Sequence, residues 1–164
     1  MVIFRRIALA LTAVVALTAC HSQPGKAAEK PAADAGANAA FLAQNSKQPG
    51  VVTLPDGLQY KITSSGPAAG VQPKATDEVK VMYEGKLLSG TVFDSSFARG
   101  QPAAFPLDEV IPGWTEVMQL MRPGDEWVVW IPPALGYGDQ DKGPIPPNSV
   151  LQFRIQLLAV RSAG

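Results

Sequence analysis

The sequence has very few of the side chains that most enzymes use for nucleophilic or metal-dependent catalysis. Its 164 residues include one cysteine, Cys20, and one histidine, His21, and both lie near the N-terminus. The remainder of the chain therefore has no Ser-His or Cys-His nucleophile pair and no nitrogen or sulfur ligands for a structural zinc ion. A single cysteine also excludes a disulfide within one chain. We expect no metal ion and no cofactor.

An excess of charge of one sign is also missing. The 14 lysines and arginines balance the 14 aspartates and glutamates, so the formal net charge is zero. A surface without a basic patch would not neutralise phosphates, and we therefore expect no nucleic acid partner. Adjacent acids occur at Asp77-Glu78 and Asp108-Glu109. Such pairs in turns are usually solvated surface groups rather than a catalytic acid and base.

The longest apolar run is too short to cross a membrane as a helix. It covers residues 7–19, IALALTAVVALTA, whereas a membrane-spanning helix needs about 20 residues. Because Arg5 and Arg6 precede it, residues 1–19 are predicted to be a signal peptide. The segment LTAC at 17–20 resembles the bacterial lipobox, in which the cysteine becomes the lipidated first residue of the mature chain. The alternative is an ordinary cleaved signal with a chance cysteine.

The lipobox resemblance implies a location and a partner. Several acyl chains on Cys20 would anchor the protein stably to a membrane. The chain is then expected in the bacterial cell envelope, on the periplasmic face. Residue 21 is His rather than the Asp that commonly retains lipoproteins in the inner membrane, which favours the outer membrane.

The segment after the predicted signal has the composition of a flexible tether. Residues 21–40 are rich in Ala, Pro, Gly and charge and contain no aromatic or branched aliphatic side chain. Such a stretch buries too little surface to offset its ordering entropy. Phe41 and Leu42 indicate no more than a short helical turn. We therefore predict a lipid-anchored tether over 20–50 and a globular domain over 51–164.

Alternation of apolar and polar residues predicts an antiparallel sheet in this domain. DEVKVMYEGKLL places Val79, Val81 and Tyr83 on one face, and VLQFRIQL alternates in the same way. The predicted fold is α+β, a twisted antiparallel sheet of about five strands wrapped over one short helix. That helix lies in PGWTEVMQLM, whose apolar stripe consists of Trp114, Val117, Met118 and Met121. On the strand EWVVWIPP, Val128 and Trp130 should point away from the core, towards either a partner or a covering loop.

An aromatic-rich domain without a nucleophile suits a reaction that needs neither a nucleophile nor a proton donor. Rotation about a peptide bond that precedes proline is such a reaction. The barrier is about 18–20 kcal/mol and arises from the charge-separated resonance of the amide. An apolar pocket removes the water that stabilises the planar amide, and a pocket complementary to the twisted amide lowers the barrier further.

Four segments, in the same order, resemble the FK506-binding-protein (FKBP) type peptidyl-prolyl cis-trans isomerases. They are VMYEG at 81–85, VFDSSFARG at 92–100, EVIPGWTE at 109–116, and the run from Tyr137 to Phe153 that contains IPPNSVLQF. The resemblance covers roughly residues 56–161 and is nearest to the macrophage-infectivity-potentiator proteins of the bacterial envelope. It implies an isomerase that assists the folding of envelope proteins. Its substrates would be proline-containing peptides and unfolded chains, and FK506 or rapamycin would inhibit it.

The resemblance also implies a set of site residues. Trp114 would form the floor of a proline pocket, the Tyr137 hydroxyl would bind a ligand carbonyl, and the Ile111 backbone N–H would donate a hydrogen bond. Asp94, paired with Arg99, would orient and polarise the substrate without transferring a proton. Without the resemblance, Asp94 would be interpreted as a turn residue with a weak surface salt bridge. The implied catalytic residues are Tyr83, Asp94, Trp114, Tyr137 and Phe153, and the implied substrate-binding residues are Phe93, Arg99, Phe105, Val110, Ile111 and Ile145.

Three features depart from the family pattern. Ala103 replaces a large aromatic residue of some members, so that wall of the pocket would be open. The loop at 138–144, GDQDKGP, is acidic and slightly short. Residues 21–50 are too poor in apolar side chains for the long dimerisation helices of the potentiator proteins, so a monomer is expected. Two alternative functions stay open: a proline-peptide-binding or chaperone module with little turnover, and a structural lipoprotein that retains the fold alone.

Overall fold

The computed structural model describes residues 35–163, which form three helices and seven strands. Every strand pair in the sheet is antiparallel. A short 3-10 turn at Pro133–Leu135 follows the sixth strand. The helices are α1 Ala35–Asn45, α2 Ser96–Arg99 and α3 Pro112–Met118; the strands are β1 Val51–Thr53, β2 Gln59–Ser64, β3 Glu78–Leu87, β4 Val92–Ser95, β5 Ala103–Pro106, β6 Glu126–Ile131 and β7 Leu151–Arg161.

The seven strands form one sheet in the order β1-β2-β6-β7-β3-β4. Strand β3 pairs with β7 along its whole length, and its other edge is shared between β4 and β5. The sequence-based prediction of an α+β fold with an antiparallel sheet is confirmed. The predicted number of about five strands was too low, because strands of three or four residues, β1 above all, are too short to show an alternating pattern.

Helix α3 packs on the inner face of the sheet. Its predicted apolar stripe is confirmed, since all four members are buried, although Met121 lies just beyond the end of the helix. The helix begins close to β6: a Cβ atom on Gly113 would lie 2.7 Å from Ile131 Cγ2, so only glycine allows this approach. The sheet contributes most of the remaining core, including Val79, Val81, Tyr83, Trp127, Val129, Ile131, Phe153, Ile155 and Leu157.

Helix α1 corrects the predicted tether. The prediction of a flexible segment over 20–50 was wrong for residues 35–45, which are helical. Alanine has the highest helix propensity, so an alanine-rich segment becomes helical once contacts hold it in place. Two of those contacts are hydrogen bonds with the side chain of Gln59. The side chain of Asn45 donates to Gln59 Oε1 over 2.8 Å, and Gln59 Nε2 donates to the carbonyl of Leu42 over 2.8 Å.

Helix α1 is hydrogen-bonded to Gln59 on the outer face of the sheet, the face opposite α3. Gln59, which holds the helix, is the cross-strand neighbour of Trp130 on β6, and directly opposed residues project from the same face. Trp130 is only 8% exposed and Val128 is half-buried. Of the two alternatives for this face, the burial of Trp130 beside Gln59 favours coverage by the chain itself, whereas Val128 stays partly exposed.

The predicted signal peptide 1–19, the lipidation site Cys20 and the first part of the predicted tether lie outside the described residues. Across residues 35–163, none of the helices combines the length and the apolar character that crossing a membrane would require.

Candidate active site

A cavity of about 750 Å³ opens between helix α3, the strands β3, β4 and β5, and the loop that precedes β7. Its walls are predominantly aromatic and aliphatic, with a few polar groups. This composition is typical of small-molecule and peptide sites. The cavity is lined by Tyr83, Phe93, Asp94, Phe105, Glu109, Val110, Ile111, Pro112, Trp114, Tyr137, Lys142, Pro144, Ile145 and Phe153.

The indole of Trp114 lines the cavity and lies at the centre of its aromatic cluster. Three rings meet it edge-on: Tyr83 and Phe153 with centroids 5.3 Å away, and Phe105 with its centroid 5.6 Å away. Such edge-to-face pairs are favourable beyond the area they bury and fix the orientation of each ring. Trp114 Nε1 is buried and has no hydrogen-bond partner among the described residues. The ring contacts therefore hold the Trp114 indole in one orientation at the cavity.

A glycine on β3 makes room for two rings of the pocket wall. Gly85 pairs with Asp94 on β4 and with Phe153 on β7. A Cβ atom at Gly85 would lie 2.5 Å from Phe93 Cε2 and 2.7 Å from Phe153 Cε1. Because Gly85 lacks a side chain, the two phenyl rings meet edge-on across the strand, with centroids 5.6 Å apart.

The segment DSSFARG positions the charged group of the site through a single helical turn. Ser95 is the N-cap of α2 and its hydroxyl accepts a hydrogen bond from the backbone N–H of Ala98 over 3.1 Å. Gly100 ends the turn in the left-handed conformation, with φ of 66°. Asp94 at the end of β4 and Arg99 at the end of α2 are thereby brought together.

Tyr83, Asp94 and Arg99 form one hydrogen-bonded group. The Tyr83 hydroxyl donates to Asp94 Oδ2, and Arg99 Nη1 donates to Asp94 Oδ1. Arg99 Nη2 also donates to the Tyr83 hydroxyl oxygen over 3.2 Å. The side chains of Arg99 and Asp94 are 51% and 41% exposed, so water screens their ion pair and its net contribution to stability is small.

The contacts within this group shift the pKa values of Asp94 and Tyr83. Burial on its own would raise the pKa of Asp94, but the hydrogen bonds from Tyr83 and Arg99 and the charge of Arg99 outweigh it, and the pKa lies below its usual value. Burial, together with the hydrogen bond to Asp94, raises the pKa of Tyr83. The carboxylate is therefore charged and the phenol neutral throughout the neutral pH range.

The far side of the cavity is formed by residues 138–148, which we term the rim loop. Its two ends meet where the backbone N–H of Asn148 donates to the carbonyl of Gly138 over 2.6 Å. Within it, the N–H of Lys142 donates to the carbonyl of Ile145 over 3.1 Å. The ammonium of Lys142 lies 5.8 Å from the ring centroid of Tyr137, which directly precedes the loop.

The structure brings together almost all of the residues that the sequence singled out. Every one of the implied catalytic and substrate-binding residues lines the cavity except Arg99, which forms an ion pair with Asp94. Their individual roles stay predictions. Ala103 is partly buried against the core and is not a lining residue.

Sequence reasoning missed four lining residues: Glu109, Pro112, Lys142 and Pro144. The first two directly flank Val110 and Ile111, so their position in EVIPGWTE was the available signal. The other two lie in the part of the rim loop that departs from the family pattern, where no signal was available. Among residues 35–163, no group of three or more His, Cys, Asp or Glu side chains is placed to hold a metal ion.

Comparison with known proteins places this site in a family. A family model described as FKBP-type peptidyl-prolyl cis-trans isomerase matches residues 70–158, and a model for the domain amino terminal to it matches residues 10–62. The chain is 51% identical over 123 residues to the peptidyl-prolyl cis-trans isomerase Mip of Coxiella burnetii, covering 74% of this chain and 53% of that protein.

Two further proteins agree with this result. The chain is 50% identical over 126 residues to the outer membrane protein MIP of Legionella longbeachae, covering 76% of this chain and 53% of that protein. The crystal structure of FkpA from Escherichia coli superposes with a TM-score of 0.75 at 40% identity, covering 79% of this chain and 60% of that one.

The chain spans about half the length of these curated relatives. The isomerase model nevertheless covers more than half of this chain, and its range contains every residue that lines the cavity. The chain therefore belongs to the FKBP-type peptidyl-prolyl cis-trans isomerase family.

Proposed function

We propose that the protein is a peptidyl-prolyl cis-trans isomerase that accelerates rotation about Xaa-Pro bonds and so assists protein folding. The observation that carries the proposal is the cavity of about 750 Å³ that is lined by Trp114 and by the aromatic rings that meet it edge-on. A proline ring fits such a pocket because it is compact and apolar. The family membership of the chain supports the same activity.

The pocket would lower the rotation barrier in two ways. The rings around Trp114 exclude water from the bound amide, which removes the solvation that favours the planar, charge-separated form. Binding energy gained by the proline ring on Trp114 holds the amide in a shape that is closer to the twisted transition state than to either planar isomer. Neither step needs a nucleophile, a metal ion or a cofactor.

Polar groups around the pocket would orient the rest of the peptide. Ile111 is the N-cap of α3, so its own N–H lies outside the hydrogen bonds of the helix and can donate to a substrate carbonyl. The Tyr137 hydroxyl would bind a second carbonyl, and Val110 and Ile145 would contact the flanking residues. Asp94, held ionised by Arg99 and Tyr83, would orient and polarise the amide without exchanging a proton.

Kinetics of cis-to-trans isomerisation test the proposal. Purified protein should accelerate the reaction of short Xaa-Pro peptides with or without a chelator, and FK506 or rapamycin should inhibit it. Inhibition should be weaker than in family members that have an aromatic residue in place of Ala103. No acceleration on several peptides would contradict the proposal, as would activity that a chelator abolishes.

We also propose that the protein is a lipoprotein of the bacterial envelope, anchored through Cys20 and facing the periplasm. The motif LTAC at 17–20 after a charged and apolar segment supports the anchor. The relative from Legionella longbeachae is named an outer membrane protein, which supports the location. Clients would then be envelope proteins whose folding is limited by proline isomerisation, which takes tens to hundreds of seconds when it is uncatalysed.

A further inference from the structure

The rim loop is held from outside the pocket by helix α1. Asn38, on α1, is only 8% exposed although its side chain is polar. Its Nδ2 donates a hydrogen bond of 2.6 Å to the backbone carbonyl of Asn148, a residue 110 positions further along the chain. A buried amide of this kind is costly to leave without a partner, so this contact contributes to fixing both the helix and the loop.

Asn148 is the point at which the two ends of the rim loop are joined. It is the only non-glycine residue with a positive φ, 58°, in the part of the chain that the structure describes. Its N–H donates to Gly138 at the start of the loop, while its carbonyl accepts from Asn38. A single residue therefore closes the loop and connects it to α1.

The other end of α1 is fixed to the sheet. Asn45 and the carbonyl of Leu42 both bond to the buried side chain of Gln59 on β2. Helix α1 thus connects strand β2 to the loop that carries Lys142, Pro144 and Ile145 into the cavity. Among these contacts, only the one from Asn38 reaches the rim loop.

We propose that Asn38 is a positioning residue for the isomerase reaction, acting through Asn148 to hold the rim loop over the pocket. The proposal rests on the proposed function. Without the hydrogen bond from Asn38, the loop would spend part of its time in arrangements that remove Ile145 from the rim. Apparent substrate affinity falls in proportion to the population of the competent arrangement, so KM should change and kcat should not.

The test compares variants of two buried asparagines on the same helix. Asn38→Ala removes the donor, and Asn38→Asp, which is isosteric, places a carboxylate against the Asn148 carbonyl. The matched control is Asn45→Ala, which has the same 8% exposure but bonds to Gln59 rather than to the loop. Two readouts are needed: KM and kcat on one Xaa-Pro peptide, and hydrogen exchange at the Lys142 and Asn148 amides, both of which are hydrogen-bonded within the loop.

For Asn38→Ala we expect KM to rise about three- to tenfold with kcat within about twofold, since only the competent fraction changes. Exchange at both amides should accelerate by a similar factor, and Asn38→Asp should show a larger effect. Asn38→Gln, which keeps an amide donor, should recover part of the loss. Asn45→Ala should lower the Tm while leaving KM and the two exchange rates within about twofold of the wild type.

Unchanged KM and loop exchange in Asn38→Ala would overturn the proposal. Equal changes in KM and loop exchange in Asn45→Ala would overturn it as well. The docking of α1 in general, and not the hydrogen bond from Asn38, would then cause those changes. If Asn38→Asp does not fold, Asn38→Ala, which adds no charge, decides the matter. A wild-type protein that lacks isomerase activity would refute the proposed function, whereas the exchange measurement would still report whether Asn38 holds the loop.

Discussion

Asp94 is the residue whose role distinguishes an electrostatic mechanism from proton transfer. Its pKa lies below its usual value and that of Tyr83 lies above its usual value, so neither group titrates between about pH 5 and 8. Asp94→Asn keeps the shape and some of the hydrogen bonding. We expect a loss of about tenfold in kcat/KM, equivalent to about 1.4 kcal/mol of barrier, and a flat pH profile in wild type and variant.

A general acid or base would give a different result. Such a group typically contributes about 10²–10⁴-fold, so Asp94→Asn would remove more than a hundredfold. The wild-type rate would also follow a single ionisation that the variant lacks. Arg99→Ala is the matched control, because it removes the partner of the carboxylate but not the carboxylate itself, and it should show a milder form of the same defect.

Gly85→Ala tests whether the contact between the Phe93 and Phe153 rings determines the shape of the pocket. The added methyl group would lie 2.5 Å from Phe93 and 2.7 Å from Phe153, so both rings must move. Overpacking of this kind usually costs about 1–3 kcal/mol, and we expect a lower Tm together with a higher KM. Gly70→Ala is a control remote from the cavity, with its nearest neighbours at 3.2 Å; it should affect Tm alone. An unchanged KM in Gly85→Ala would contradict this account of the wall.

At the scale of elements, a pair of carboxyl groups links α3 to the turn between β1 and β2. A hydrogen bond with Asp56, followed by burial, raises the pKa of Glu116 from 4.5 to about 7. The native state therefore binds this proton more tightly than the unfolded state, and the free energy of unfolding should fall as pH rises from about 4.5 to 7. Because Asp56 is exposed, the change should not exceed about 1 kcal/mol.

Denaturant unfolding of wild type and Glu116→Gln between pH 4 and 8 checks this prediction. Glutamine keeps a donor for Asp56 at every pH, so the variant should lose the slope in that window. Asp56 and Asp94 have lowered pKa values and titrate below about 3.8, outside the window. An identical slope in the variant would show that Glu116 is not the group responsible.

The elements also show what the sequence could and could not predict. Strands β3 and β7 and helix α3 were predictable because each buries one face over several residues. The apolar residues of each element therefore recur at a regular spacing in the sequence. Helix α1 was not, because two asparagines hold it and neither looks like a core residue in a sequence. The aromatic pocket followed from motifs with fixed spacing, whereas Lys142 and Pro144 depend on the conformation of a loop that no motif specifies.

At the scale of the whole molecule, the proposed lipid anchor at Cys20 would decide where the protein acts. Cys20→Ser should abolish lipidation and leave either unprocessed precursor or a soluble form, because serine provides no thiol for the acyl chains. Mass spectrometry of the mature N-terminus in the membrane fraction is the measurement. Finding wild-type protein there with an unmodified Cys20 would refute the anchor, while the account of the pocket would be unaffected.

In the proposed function, the cavity lined by Trp114 catalyses rotation about the Xaa-Pro bond and does not only bind proline. Exchange NMR on a peptide with one Xaa-Pro bond tests it directly, since the same sample reports binding and turnover. We expect cis–trans exchange peaks at substoichiometric protein, lost on addition of FK506, with shifts confined to pocket residues such as Trp114 and Phe153. Binding shifts at these residues without any acceleration of exchange would contradict the claim and identify a peptide-binding module instead.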